Sequence, residues 1–338
     1  MPHHKTNVTI IGAGPVGLFA IFQCGMLGLQ CHVIDALDSI GGQCTALYPE
    51  KPIYDIPAYP KIDATELIHN LHQQALPFKP VFHLDQQVRK LTQQNDQSWL
   101  LETSNGQIIQ SRTVIIAAGV GAFGPNRPPL EKIEIYENKS VFYYVKQKEL
   151  FRNKTLVIAG GGDSAIDWTL SLSEIAQKIY LVHRRHKFRA SPESIHQLEK
   201  LKQTHKIELI TPYQLTSLEG DNGYLNNVIV QDLDQHEKKL EADYLLAFFG
   251  LSMDLGPITQ WGLHLDHHHI AINPANQRTN LPGIYAIGDI VHYQGKLKLI
   301  LTGFHEAAVA AHDIRKYLHP DEVFHFEYST TKGISTVS

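Results

Sequence analysis

Apolar residues fall into short uninterrupted runs along this chain, and the most organised of them stands near the start. Val8–Ile11 leads directly into Gly12, Gly14 and Gly17, and then into Leu18–Leu27, where no proline interrupts a helical spacing. The order strand, tight turn, helix follows. A second run, His32–Ile34, predicts the next strand and ends in Asp35, eighteen residues after Gly17. The stretch behind it is rich in Gly, Pro and Tyr and reads as loop until about Ala64. Ala64–Leu76 then has helical spacing. Alternating stretches around Val81–Leu91, Ser98–Thr103 and Gln107–Ser111 predict a small antiparallel sheet, and Val114–Ala117 has the pattern of a buried strand.

The pattern then repeats. Leu156–Ala159 leads into Gly160, Gly162 and, as the third small residue, Ala165; a helix follows, and Ile179–His183 is the next strand. Between the two units, Gly119–Pro129 reads as a hinge, and around Gly250–Pro257 the chain crosses back. Ser191 and Pro192 open an ordinary helix as N-cap and first helical residue. Runs at Ile207–Ile210, Leu225–Leu233 and Asp243–Phe249 complete the second unit. His267–His269 is read as part of a strand, where neighbours point to opposite faces, so no metal is assigned there. Ile284–Ile287 predicts a last strand, ending in Gly288-Asp289, with a helix beginning near Thr302–Gly303. The tail carries Phe324, Phe326 and Tyr328 among polar residues and reads either as a disordered terminus or as an aromatic lid.

Composition narrows the field. A chain of 338 residues is long enough for two domains. A net charge of −4 and a pI near 6.6 do not suit a nucleic-acid binder. No apolar run approaches the roughly 18–20 residues of a membrane span, and the first residues lack a signal-peptide core, so a soluble cytoplasmic protein is expected. Cys24, Cys31 and Cys44 are odd in number and without C-x-x-C spacing, which points to neither a disulfide scaffold nor zinc.

The glycine pattern is a dinucleotide signature in this context. Gly12 makes the turn, Gly14 lets backbone approach a pyrophosphate, Gly17 lets helix pack on strand, and the phosphates sit on the helix amides. Asp35 can accept both hydroxyls of an adenosine ribose. Gly41 and Gly42 would let backbone approach a flat ligand, with Gln43 offering an amide and Tyr48 an aromatic face. Asp289 would accept a sugar-like hydroxyl, and the helix start near Thr302 aims free amides at a developing anion. At the ribose position of the second unit the acid is replaced by His183, Arg184 and Arg185, with Arg189 nearby. Guanidinium forks bind a phosphate, so NADP(H) is preferred over NAD(H).

The succession GAGPVG, GGQ, AAG, GGGDSA, HRR and GIYAIGD resembles the two-domain flavoprotein reductases related to thioredoxin reductase. That resemblance implies an α/β chain of two Rossmann-like domains of the three-layer ββα type. FAD lies in the first (1–119 and 250–338), and NADPH in the second (120–249), which is inserted into it. The dithiol of thioredoxin reductases has no counterpart: Ser140–Phe151 holds no cysteine, and Pro49 stands where a partner for Cys44 would be. Within the group the chain resembles the thioredoxin-reductase-like ferredoxin–NADP(+) reductases of bacteria, through Gly41–Pro60, Ala117–Pro125, Gly295–Ala307 and Tyr328-Ser329-Thr330. The resemblance implies a homodimer in which Tyr48 and a tail ring sandwich the isoalloxazine; the tail ring is Tyr328, with His325 as the alternative. It further implies FAD contacts from Pro15, Val88, Phe123 and Thr330, and NADP contacts from Asp163 and Ser164. The activity implied is hydride transfer between NADPH and flavin N5, then one-electron transfers to a ferredoxin or flavodoxin, with the domains closing about their hinges. Reduction of another acceptor, such as a quinone or a small disulfide, and a non-catalytic flavin-binding redox sensor are the alternatives.

Overall fold

The computed structural model of the chain describes residues 2–202 and 206–322, with backbone alone at positions 122, 123, 251 and 253. It divides into two compact units. One is built from the chain up to Ala122 and from Met253 onward, the other from Phe123–Ser252.

The first unit opens with β1 (His4–Ile11), α1 (Pro15–Met26) and β2 (Cys31–Ile34). The stretch expected to be loop contains a short helix, α2 (Gln43–Ala46), and a two-stranded pair, β3 (Pro52–Ile53) with β4 (Ile62–Asp63). These elements are too short to leave a periodic signal. After α3 (Ala64–Ala75) come β5 (Val81–His83), β6 (Val88–Gln93), β7 (Trp99–Thr103) and β8 (Ile108–Ile116). Two expectations need correction here. Val81–Leu91 is not one antiparallel stretch: β5 lies parallel to β2, and a turn at Asp85, with φ of 53°, separates it from β6. Gln107–Ser111 and Val114–Ala117 are not separate either, because β8 runs through both. Polar Ser111 and Thr113 are fully buried within it, Ser111 donating to the carbonyl of Thr113 (2.6 Å) and Thr113 to that of Asn7 (3.0 Å).

The chain leaves through β9 (Ala122–Pro125) and builds the second unit: β10 (Val141–Phe142), β11 (Thr155–Ala159), α4 (Asp163–Leu172), β12 (Lys178–Val182), α5 (Pro192–Lys202) and β13 (Ile207–Ile210). Ser191 caps α5, accepting the amide of Ser194 on its hydroxyl at 3.2 Å. Then follow β14 (Gln214–Asp221), β15 (Tyr224–Gln231), β16 (Glu237–Glu241) and β17 (Tyr244–Ala247), before the chain returns through β18 (Leu251–Asp254), which pairs with β9. The parallel sheet has the order β10-β17-β11-β12-β13, and β14-β15-β16 form a separate antiparallel sheet. Most of β14 and β16 is exposed, so both lack the apolar runs that mark the other strands.

Back in the first unit, β19 (Leu265–Asp266) and β20 (His269–Ile270) form a hairpin, followed by β21 (Ile284–Ala286) and α6 (Ile300–Leu318). His267 and His268 are not on a strand but are the two turn residues of that hairpin, with φ of 44° and 66°. Histidine is among the residues that tolerate this region. Among the described residues the main sheet has the order β5-β2-β1-β8-β7-β6, with β21 pairing on the far end of β8. The start of β8 pairs antiparallel with β7, and its end lies parallel between β1 and β21. This one strand therefore joins a parallel layer to an antiparallel meander. Side chains alternate across it: Ile10, Ile115 and Tyr285 enter the core with α1 and α6, whereas Ile11, Ile116 and Ala286 enter the opposite core with Trp99 and Trp261. Both faces being covered explains why these strands read as unbroken apolar runs. No helix among the described residues is long and apolar enough to cross a membrane.

Candidate functional site

In the first unit the ends of the parallel strands meet three turns. Gly12, with φ of +110°, passes so close to β8 that a Cβ would lie 2.3 Å from the carbonyl oxygen of Ala117. A Cβ on Gly17 would lie 2.0 Å from the carbonyl oxygen of Gly12. Both glycines are therefore demanded by the backbone itself. Gly14 is different: its φ is −69°, and a Cβ there would meet nothing within 4 Å. The fold tolerates a side chain at Gly14, and the bare backbone faces open space at the start of α1. Gly14 is the N-cap, without a side-chain cap bond, and Pro15 is the first helical residue, so the following amides are free for an anion. Asp35, at the end of β2, accepts the amide of Ala13 at 2.5 Å and that of Leu37 at 2.8 Å. Burial pushes its carboxyl above the usual carboxylate range, while these amides pull it back.

The second turn lies against the first. The Gly41 amide donates to the carbonyl of Ala13 at 2.8 Å, and the Cβ position of Gly42 is 3.2 Å from Cα of Gly14. From there α2 places Gln43, whose amide nitrogen is 3.7 Å from the Cβ position of Gly119. Tyr48 follows, its hydroxyl accepting from Cys44 Sγ at 3.8 Å. Burial raises the Tyr48 phenol, with Cys44 and the charges of Asp289 and Asp55 adding to this. Burial pushes the Cys44 thiol up to about 11, which makes it inert as a nucleophile. All three cysteines are free and buried. Val88 is 2% exposed within the apolar core, so its side chain is a packing residue.

The third turn holds Asp289 directly after Gly288, whose φ is +78°. A buried cluster that neither residue announces in sequence fixes it. Glu306 of α6 accepts the Gly288 amide (2.6 Å) and the Tyr293 hydroxyl (2.8 Å), and Lys296 donates to both Glu306 and the Gly288 carbonyl (2.8 Å). The only signal was a carboxylate at a register of α6 otherwise filled by buried Gly303, Ala307 and Ala310. The helix starts at Ile300, two residues ahead of Thr302, with no side-chain cap and no acid in its first turn. Its first amides, Thr302 among them, are thus open, and Gly303 packs against Val16 of α1.

The second unit repeats the cradle with different chemistry. Gly160, with φ of +154°, ends β11; Gly162 is the N-cap of α4, and buried Ala165 fills the third small position. Gly162, Asp163 and Ser164 are exposed, and the Asp163 carboxylate accepts the amide of Ser191 at 3.0 Å. The His183 ring lies over the loop, 2.1 Å from where a Gly161 Cβ would be, and stacks on Phe188 at 5.3 Å. Burial, and the cations Arg184, Arg185 and Arg189, push its pKa down. Its Nε2 is buried without a partner. The Arg189 amide donates to the carbonyl of Gly161 at 2.6 Å, which brings that residue to the glycine loop. Arg184, Arg185 and Arg189 are exposed, and none pairs with a carboxylate among the described residues. Tyr328, Thr330 and His325 lie outside the described residues, as does the side chain of Phe123.

The family described as pyridine nucleotide-disulphide oxidoreductase matches residues 6–311. The ferredoxin–NADP reductase of Rickettsia felis is 59% identical over 329 residues, covering 97% of this chain and 98% of that one. That of Paramagnetospirillum magneticum is 57% identical over 334 residues, covering 99% of each. The chain belongs to the ferredoxin–NADP reductase family. Membership makes it an oxidoreductase dependent on FAD and NADP(H). Its fold is that of thioredoxin reductases. The thioredoxin reductase of T. acidophilum gives a TM-score of 0.80 at 23% identity, covering 93% of this chain and 99% of its own. The Lactococcus lactis enzyme gives 0.80 at 24%, covering 94% and 100%.

The residues present fit both groups. The uncapped α1 start beside bare Gly14 suits the FAD pyrophosphate, and a buried His183 nitrogen without a partner, followed by exposed arginines that pair with no carboxylate among the described residues, suits a nucleotide phosphate. Gly14→Ala should therefore separate folding from cofactor binding. Urea unfolding of the apoprotein should show a loss of no more than about 1 kcal/mol, while the FAD dissociation constant rises about tenfold or more. Unchanged FAD affinity would remove Gly14 from the cradle.

Proposed function

We propose that this reductase carries electrons between NADPH and an iron–sulfur ferredoxin or a flavodoxin, with FAD on the first unit and NADP(H) on the second. When bound, FAD takes a hydride at N5 and releases electrons singly, chemistry that no side chain here supplies. The α1 amides and the bare backbone of Gly14 hold its pyrophosphate, and Asp35 accepts its ribose hydroxyls. Asp289 accepts a hydroxyl of the chain leading to the ring. Tyr48 covers one ring face, and Gln43 meets its polar edge. The open amides at the start of α6 stabilise negative charge on the pyrimidine side. On the second unit, the amides from Gly162 through Ser164 cradle the NADP pyrophosphate, and Arg184, Arg185 and Arg189 clamp its extra phosphate.

The observation that carries this reading is the set of exposed arginines following the second glycine unit, Arg184, Arg185 and Arg189, which pair with no carboxylate among the described residues, in a chain whose cysteines are all free and buried. The first selects a phosphorylated nicotinamide donor. The second means that electrons leave the flavin without passing through a dithiol of this chain. The other face of the flavin is covered, in this reading, by a tail ring, Tyr328, in a homodimer. Leu297, Leu299 and Leu301, just before and at the start of α6, are 62%, 36% and 42% exposed, apolar surface that such a tail could cover.

Replacing Arg184 and Arg185 by Ala should raise KM for NADPH far more than for NADH, with each lost charged contact worth about 1.5–3 kcal/mol. An equal rise for both would remove the phosphate role. The acceptor is tested by NADPH-dependent cytochrome c reduction, which should increase many-fold on adding ferredoxin. Equal rates with and without it, beside rapid reduction of a quinone, would transfer the assignment to that acceptor.

A further inference from the structure

Lys296 and Glu306 form an ion pair whose side chains are 1% and 0% exposed. Burying two charges costs desolvation that their attraction seldom returns, and a well-packed apolar pair is often as stable. Stability alone therefore does not account for the pair. Between them they grip both polar groups of one peptide residue: Glu306 accepts the Gly288 amide, and Lys296 donates to the Gly288 carbonyl. The next residue is Asp289, whose charge reaches Tyr48 and Cys44. Tyr293 adds its hydroxyl to Glu306, and the Lys296 ammonium lies 5.3 Å from its ring. Three pieces of chain are joined in this way: the Asp289 turn, the segment leading into α6, and the second turn of α6 itself.

We propose that Lys296 and Glu306 are positioning residues for the flavin, aligning Asp289 and the open α6 amides so that FAD binds tightly and its reduced form is stabilised. This rests on the placement of FAD on the first unit. The double variant Lys296→Met/Glu306→Leu is compared with Glu306→Gln and Lys296→Met, reading thermal midpoint, FAD dissociation constant, flavin absorption spectrum and midpoint potential. The single variants should lose the most stability, since each leaves a buried group without its partner. The double variant should recover most of it, yet bind FAD about tenfold more weakly, with an altered spectrum and a more negative potential. A double variant that matches the wild type in FAD affinity, spectrum and potential overturns the proposal. Should the double variant fail to fold, Tyr293→Phe removes a single hydroxyl from Glu306 and serves in its place. Weaker FAD binding at an unchanged thermal midpoint supports the proposal, and unchanged affinity and spectrum overturn it. If the wild type itself binds no FAD, the reading of the first unit fails; if it does and the variants match it, only this inference fails.

Discussion

At the end of β1 the backbone comes so close to β8 that no side chain fits between Gly12 and Ala117, and α1 comes as close to Gly12 through Gly17. These two approaches fix where α1 starts. Everything at the site is arranged around that point: the Gly41 turn bonds to Ala13, Asp35 accepts the same residue's amide, and Val16 lies against Gly303 of α6. A helix start held in this way presents amides that need not reorganise when an anion arrives.

The second unit repeats the same backbone device with different side chains around it. Strand, glycine turn and helix recur, but the residue after the second strand of the motif changes from the carboxylate of Asp35 to His183 followed by two arginines. Sign of charge, rather than shape, separates the two sites. A carboxylate would repel an added phosphate, whereas guanidinium forks accept it bidentately. Relatives of 57–59% identity place the chain among ferredoxin–NADP reductases, while its fold is that of thioredoxin reductases. The free, buried cysteines are what part it chemically from the latter.

Features governed by neighbours in sequence were legible from it. The glycine turns, the strands buried on both faces and the Ser191 cap all leave local patterns. Features governed by distant partners were not. Ser111 and Thr113 looked like a break in a strand because their buried hydroxyl bonds to Thr113 and Asn7 cannot be seen in composition. β14 and β16 carry polar, exposed faces, so their pairing with β15 leaves no apolar rhythm. His267 and His268 form a turn through backbone dihedrals that no side-chain pattern reveals. Lys296 and Glu306 each look like a solvated charge, and only the packing of α6 brings them together out of water.

The central claim is that one phosphorylated nicotinamide feeds one flavin in this chain. It is tested most directly by titrating the purified holoprotein with NADPH, and separately with NADH, under anaerobic conditions while following the flavin absorption band. Stoichiometric NADPH should bleach the band promptly, and NADH should need a large excess. A band that NADPH leaves unchanged, or that both nucleotides bleach alike, would contradict the account.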